Sequence, residues 1–233
     1  MTTPPAWLTE ATYFGVLASI AAYALGVWLR RVTRCAWLNP LLVAVVLVIV
    51  VLKACHLPYA NYNRSASLIT YLLTPSTICL AVPLYQQLAL LRRHKWAVVA
   101  GTLTGVLSSL CIIVLLSALL HLDHTSYVTF LPKSITTAIG IGVATELGGR
   151  VPIAVAVIIL TGILGSIVAE KWLALLRITH PVARGIALGS SAHAIGTAKA
   201  MEMGAVEGSM SSLSIVVCGV CTVVLAPLFA AWL

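Results

Sequence analysis

The stretch FLPKSITTAIGIG at 130–142 carries a proline, a lysine and three hydroxyl residues within positions 132–137, between flanks apolar enough for a lipid bilayer. A second stretch, GSSAHAIGTAKAMEMG at 189–204, carries His193, Lys199 and Glu202 with few large apolar side chains. Proline removes a backbone donor and disfavours helix in the residue before it. Pro75 and Pro132 therefore predict helix starts near Ser76 and Ser134, with unpaired N–H groups aimed at whatever sits there. A helix start furnished with hydroxyls and a lysine is a seat for an anion. Lys133 would supply the charge, and Ser134, Thr136 and Thr137 the donors. Ser76 and Thr77 open a third interrupted stretch. In the second stretch Ser190, Ser191, His193 and Thr197 offer similar chemistry, with Gly189 and Gly196 permitting close backbone approach. His193, with an unperturbed pKa near 6.5, also suits proton coupling.

The elements holding these residues must lie in a membrane. The chain has 233 residues, 61% hydrophobic and only 9% charged, against about a quarter charged in a soluble domain. The apolar runs are long and continuous, which predicts an all-α polytopic membrane protein and argues against an outer-membrane barrel. The net charge of +8 fits basic loops on one membrane face, so no nucleic-acid partner is expected. The polar lead MTTPPAWLTEA lacks a basic region, which predicts a retained first helix rather than a cleaved signal. CGVC at 218–221 reads as small buried thiols, and His121 and His124, flanking Asp123 in a polar loop, make only a weak metal signal. Neither a cofactor nor a metal is expected, and no enzyme constellation is visible. GTLTG at 101–105 reads as helix packing.

Eight apolar segments can be drawn, at 11–29, 36–52, 66–91, 96–120, 126–148, 151–176, 182–205 and 208–233. Shifting the chain by 115 residues lays the hydropathy pattern on itself and brings Ser76 onto Ser191. That predicts two structural repeats, 1–120 and 121–233, with broken or re-entrant helices near the membrane midplane, the usual mark of a secondary transporter. If segment five dips in and returns while the other seven cross, the loop charges split nine to three. Arg30, Arg31, Arg34, Arg92, Arg93, Lys95, Lys171, Arg177 and Arg184 then share a face opposite Lys53, Arg64 and Arg150. The positive-inside rule favours that arrangement, which inverts the repeats and places the N-terminus outside and the C-terminus inside.

NPLL at 39–42, AVPLYQQ at 81–87, PKSITT at 132–137 and ARGIALGSSAHAIGTAKAMEMGAVEGSMSSL at 183–213 resemble the LrgB/CidB family, and in particular its YohK-type bacterial members. The resemblance implies a bacterial inner-membrane protein, often encoded beside a small LrgA/CidA-type membrane partner. It implies either of two functions. One is a carrier of small monocarboxylates or 2-hydroxy acids, of the glycolate, glycerate, lactate or pyruvate class. A plastid relative is a glycolate/glycerate translocator, and bacterial relatives are linked to pyruvate uptake. The other is a holin- or antiholin-like protein modulating murein hydrolase activity and autolysis. By motif, Lys133, Ser134, Thr136 and Thr137 carry over from one signature, and Ser191, His193, Gly196 and Thr197 from the other. Many relatives have proline where this chain has Ala138 and arginine where it has Lys199. The expectation is an alternating-access carrier, a homodimer by analogy with similar transporters, holding its carboxylate between segments five and seven.

Overall fold

The computed structural model describes residues 12–33, 39–72, 75, 78–79, 85–86 and 88–233. Ser76 and Thr77 lie outside the described residues. Among those described every regular element is helical. Packing divides the chain into two compact units, Met1–Cys79 and Leu80–Leu233. The helix closing the first expected repeat thus packs with the second.

In the first unit, α1 (Phe14–Thr33) packs against α2 (Pro40–Ala54), followed by short helices α3 (Tyr59–Ser65) and α4 (Ser67–Tyr71). Asn39 starts α2: its side chain accepts from the Leu41 N–H, and Pro40 takes the first helical position, where no donor is needed. The Gly15 N–H donates to Ser65 Oγ at 3.0 Å, and Ser19 Oγ lies 2.8 Å from Tyr62 Oη, tying α1 to α3.

The second unit contains α5 (Leu88–Leu119), α6 (His124–Phe130), α7 (Thr137–Glu146), α8 (Val151–Leu175), α9 (Pro181–Met203) and α10 (Ala205–Ala230). In this unit α5 from Arg92, α8 and α10 are long and apolar enough to cross a membrane, as is α1 in the first. α9 is not: His193 breaks it with φ 41° and ψ −131°.

Position along α10 gauges depth. Gly185 packs on Glu207 and Met210, and Gly208 on Met201. Four residues further along, Gly189 packs on Ser211 and Ser214, while Thr197 Oγ1 lies 2.7 Å from Ser211 Oγ. Residues on either side of His193 therefore meet α10 at equal depths. α9 is a hairpin of two limbs, 181–192 and 194–203, and returns to the end from which it came. Segment seven was expected to cross; it does not, because a reversal at His193 lets both limbs bury small residues against α10.

The α6–α7 segment comes from the opposite end. His124 Nδ1 lies 2.6 Å from the Leu233 carbonyl, Tyr127 Oη donates to the Phe229 carbonyl at 2.7 Å, and Ile139 reaches Gly219. It too turns back: the Arg150 N–H donates to Thr129 Oγ1 at 2.8 Å, beside Gly149. Asp123 caps α6, accepting from the Ser126 hydroxyl at 2.6 Å and from its N–H. Those bonds hold its carboxyl below the usual carboxylate range. The two hairpins meet tip to tip in the middle of the unit. A buried cluster containing Tyr127, Leu131, Ile135, Cys218 and Phe229 fills the α6–α7 side.

Charge is unevenly placed between the two ends. Arg92, Arg93 and Lys95 at the start of α5, Lys171 near the end of α8, and Arg177 and Arg184 at the start of α9 share one end, where the His94 and His180 rings pack edge to face. Asp123, Arg150 and Leu233 lie at the other. The C-terminus, expected on the basic face, is opposite it because α9 does not cross.

Single cysteines at Arg150 and Ala231 are expected to react with an impermeant maleimide from one side of the membrane, and one at Arg177 from the other. Arg177 and Ala231 reacting from the same side would show that α9 crosses. A Cβ at Gly189 would press on the Ser211 backbone and come within 2.8 Å of Ser214 Cβ. Gly189→Val is therefore expected to cost about 1–3 kcal/mol, read as a lower thermal midpoint in detergent, whereas Gly142→Ala, facing open space, should cost far less.

Candidate functional site

Where the hairpin tips meet, the chain between α6 and α7 runs through turns at 131–135. Helix α7 starts at Thr137 with Thr136 as its N-cap, three residues later than Pro132 alone suggested. Pro132 instead fixes the turn and packs 3.7 Å from the Cβ position of Gly140. This unwound stretch carries Lys133 and Ser134 to the floor of a cavity of about 550 Å3. Gly105, Ser108 and Ser109 of α5, Thr161 of α8, and Ser190 and Ser191 of α9 complete its polar lining. From there the cavity reaches Trp172, Leu176 and Ile178 toward the basic end of the unit.

Lys133 Nζ donates to Ser134 Oγ at 3.0 Å, and Ser134 Oγ lies 3.1 Å from Ser109 Oγ. Among the described residues no carboxylate is within ion-pairing distance of Lys133. Of the six acidic residues only Glu10 is outside that set; Asp123 and Glu146 sit near the far end, Glu170 and Glu202 engage Lys199, and Glu207 lies in the first turn of α10 beside Gly185. A lysine inside a span and lacking an acid is costly unless water or an anion completes it. The neighbouring hydroxyls can donate to such an anion and accept from the ammonium. Ser190 and Ser191 both donate back to the Ala187 carbonyl, at 3.2 and 2.6 Å, and keep lone pairs toward the cavity.

The cavity gathers Lys133, Ser134, Ser190 and Ser191 from the residues the sequence singled out. Others take structural places. His193 is 3% exposed and outside the cavity lining; its Nε2 donates to the Ile158 carbonyl at 3.0 Å. Gly162 makes that approach possible, since a Cβ there would lie 2.7 Å from His193 Cε1. Holding a non-glycine residue at this positive φ costs about 1–3 kcal/mol, so the bond pins the hairpin tip to α8 at a strained position. Thr197 is fully buried, donating to the His193 carbonyl at 3.0 Å and paired with Ser211. Gly196 is packed within the hairpin, where a Cβ would meet Ala192 Cβ at 2.6 Å. Thr136 and Thr137 begin α7 half-buried and do not line the cavity.

Ser108, Ser109 and Thr161 were not singled out from sequence. They sit in helices that read as clean spans, and only the adjacent serines at 108–109 hinted at a polar face. The packing expected of GTLTG is present: a Cβ at Gly101 would lie 3.0 Å from Ile186 Cγ2, and one at Gly105 3.1 Å from Ser190 Oγ. A larger cavity of about 680 Å3 in the first unit is walled by residues such as Ile20, Val48, Ile49 and Leu68 and has no charged side chain in its lining. It offers a charged ligand no counter-charge. No group of three or more possible metal-binding side chains occurs among the described residues.

The family model described as the LrgB-like family matches residues 19–232. The antiholin-like protein LrgB of Bacillus subtilis (strain 168) is 36% identical over 222 residues, covering 95% of this chain and 96% of that protein. Proteins of the same name from Bacillus mycoides (strain KBAB4) and Bacillus cereus (strain B4264) are 34% identical over the same shares. No solved structure matches. These names agree with the antiholin-like function implied by the sequence motifs, and none of them names a carried substrate. With nearly its whole length matched, the chain belongs to the LrgB-like family.

Proposed function

We propose that this chain acts in the membrane as an antiholin-like protein, the function its relatives' names carry, and that its working part is a seat for one small anion. The family reading rests on the 34–36% identity across 95% of the chain. The anion seat rests on one observation: Lys133 stands at the floor of a cavity in the membrane with hydroxyls around it and no acid beside it among the described residues.

That same observation favours a second, finer reading. A cavity that reaches one end of the unit and stops at two broken helices has the form of a carrier site caught facing one side. On this reading the chain moves a small monocarboxylate or 2-hydroxy acid, of the glycolate, glycerate, lactate or pyruvate class, by alternating access. The inverted repeats expected from the sequence are not part of it, since α5 and α10, the last helices of the two repeats, run in the same direction. Lys133 would pair with the carboxylate, and Ser134, Ser109 and Ser190 would orient it. His193 is better suited to holding the hairpin tip than to relaying protons, since its Nε2 hydrogen is engaged by Ile158. The basic end would face the cytoplasm of a bacterial inner membrane. A homodimer and a small LrgA/CidA-type subunit remain part of the proposal, and no catalytic step does.

Two assays separate the readings. In cells lacking the chain, the antiholin-like function predicts faster detergent-induced autolysis, reversed by the intact chain and not by Lys133→Ala. Reversal by Lys133→Ala at equal expression would remove the anion seat from the function. In proteoliposomes of the purified chain, the carrier reading predicts saturable uptake of one labelled acid without leakage of a trapped dye. Loss of a charge-assisted bond of about 1.5–3 kcal/mol predicts a 10- to 100-fold fall in uptake efficiency for Lys133→Ala, and Ser134→Ala should cost about 2- to 10-fold. Uptake unchanged in Lys133→Ala would defeat the carrier site described here.

A further inference from the structure

We propose that Lys199 is an exchangeable latch that sets the spacing between α8 and the second limb of the α9 hairpin, and with it the packing behind one wall of the cavity. Lys199 Nζ lies 2.6 Å from Glu170 Oε1 on α8 and 3.2 Å from Glu202 Oε2 on its own limb. Its side chain is 17% exposed, against 59% and 56% for the two acids, so the cation is the sheltered member and the carboxylates flank it. Glu170 lies five residues before the end of α8, about 8 Å along the helix, where an unpaired charge is costly.

The position of the latch gives it leverage. Ala169, next to Glu170, and Ala200, next to Lys199, belong to one buried cluster with Leu173 and Leu188. Ala169, Leu173 and Leu188 also line the cavity. The ion pair therefore lies beside a cluster that reaches the cavity wall through Ala169 and Leu173 of α8 and Leu188 of the first limb, while the His193–Ile158 bond ties the hairpin tip to α8.

The pairing has one partner on each side of the seam. If the limb moves away from α8, Lys199 loses Glu170 and keeps Glu202, which travels with it three residues along the same helix. The cation is thus never left bare, and the cost of opening is smaller than for a simple pair broken in a membrane. Glu170 favours the closed seam and Glu202 favours release.

The latch is independent of what the cavity holds, so its test needs no substrate and its outcome leaves the function proposed above untouched. Spin labels at Leu175→Cys on α8 and Ala198→Cys on the second limb, in a background without the native cysteines, report the seam by pulsed electron resonance in lipid nanodiscs. Glu170→Gln is expected to raise the population at the longer distance at least threefold, and Glu202→Gln to leave it at or below that of the parent. In the exchanged pair, Glu170→Lys with Lys199→Glu, the cation on α8 faces two acids on the limb. The latch is then retained without a release partner, so the longer distance should fall below the parent's. Equal distributions for the two glutamine variants, or equal shifts in both, would overturn the proposal. Should Glu170→Gln fail to fold, the exchanged pair decides: a longer-distance population at or above the parent's overturns it.

Discussion

Unwound backbone cannot face hydrocarbon, because every free N–H and C=O there forfeits a bond that no lipid can replace. Among the described residues the second unit carries two such interruptions deep within it, at 131–136 and at His193, besides a kink at His94 near the basic end. Each is tolerable only because continuous helices enclose it: α5 and α8 flank the floor of the cavity, and α10 runs behind both hairpins. The small residues of the unit follow from this requirement. Gly185 and Gly189 let α9 touch α10, Gly162 admits the His193 ring, and Gly105 brings α5 to Ser190. A larger side chain at any of these would push a hairpin away and expose the break it shields.

With the breaks enclosed, their chemistry becomes usable. Lys133 sits on turn backbone, its ammonium bonded to Ser134 and through it to Ser109, with the rest of its coordination open to the cavity. The same surroundings that make a bare charge costly make a bound counterion rewarding. On the far side of the tips the packing of Tyr127, Leu131, Ile135 and Phe229 fills the α6–α7 side, while the cavity lining extends toward the basic end.

Much of this was legible in the chain. Pro132 beside Lys133 announced both the break and the cation, because a proline and a charge inside an apolar run are each too costly for a helix that faces lipid. Ser190 and Ser191 were legible from the scarcity of large apolar residues around them. The reversal of α9 was not. Nothing local separates a bent crossing helix from a hairpin; the difference lies in whether residues eight apart, such as Gly189 and Thr197, meet the same partner, Ser211. The hydrogen bond of His193 was hidden for a related reason. A histidine's type advertises titration, but its role here is set by Gly162, 31 positions earlier, which opens the approach to the Ile158 carbonyl. Ser108, Ser109 and Thr161 stayed hidden because an ordinary hydroxyl in an ordinary span acquires meaning only from what faces it.

That no acid among the described residues pairs with Lys133 has an electrical consequence. With the lysine in its ammonium form, the cavity floor is positive when empty and neutral once a singly charged anion is bound. A voltage across the bilayer therefore pulls on the vacant form and hardly at all on the filled one. On the carrier reading proposed above, membrane potential would set how long the site stays vacant and to which side it is drawn, while the anion itself would cross as part of an uncharged pair.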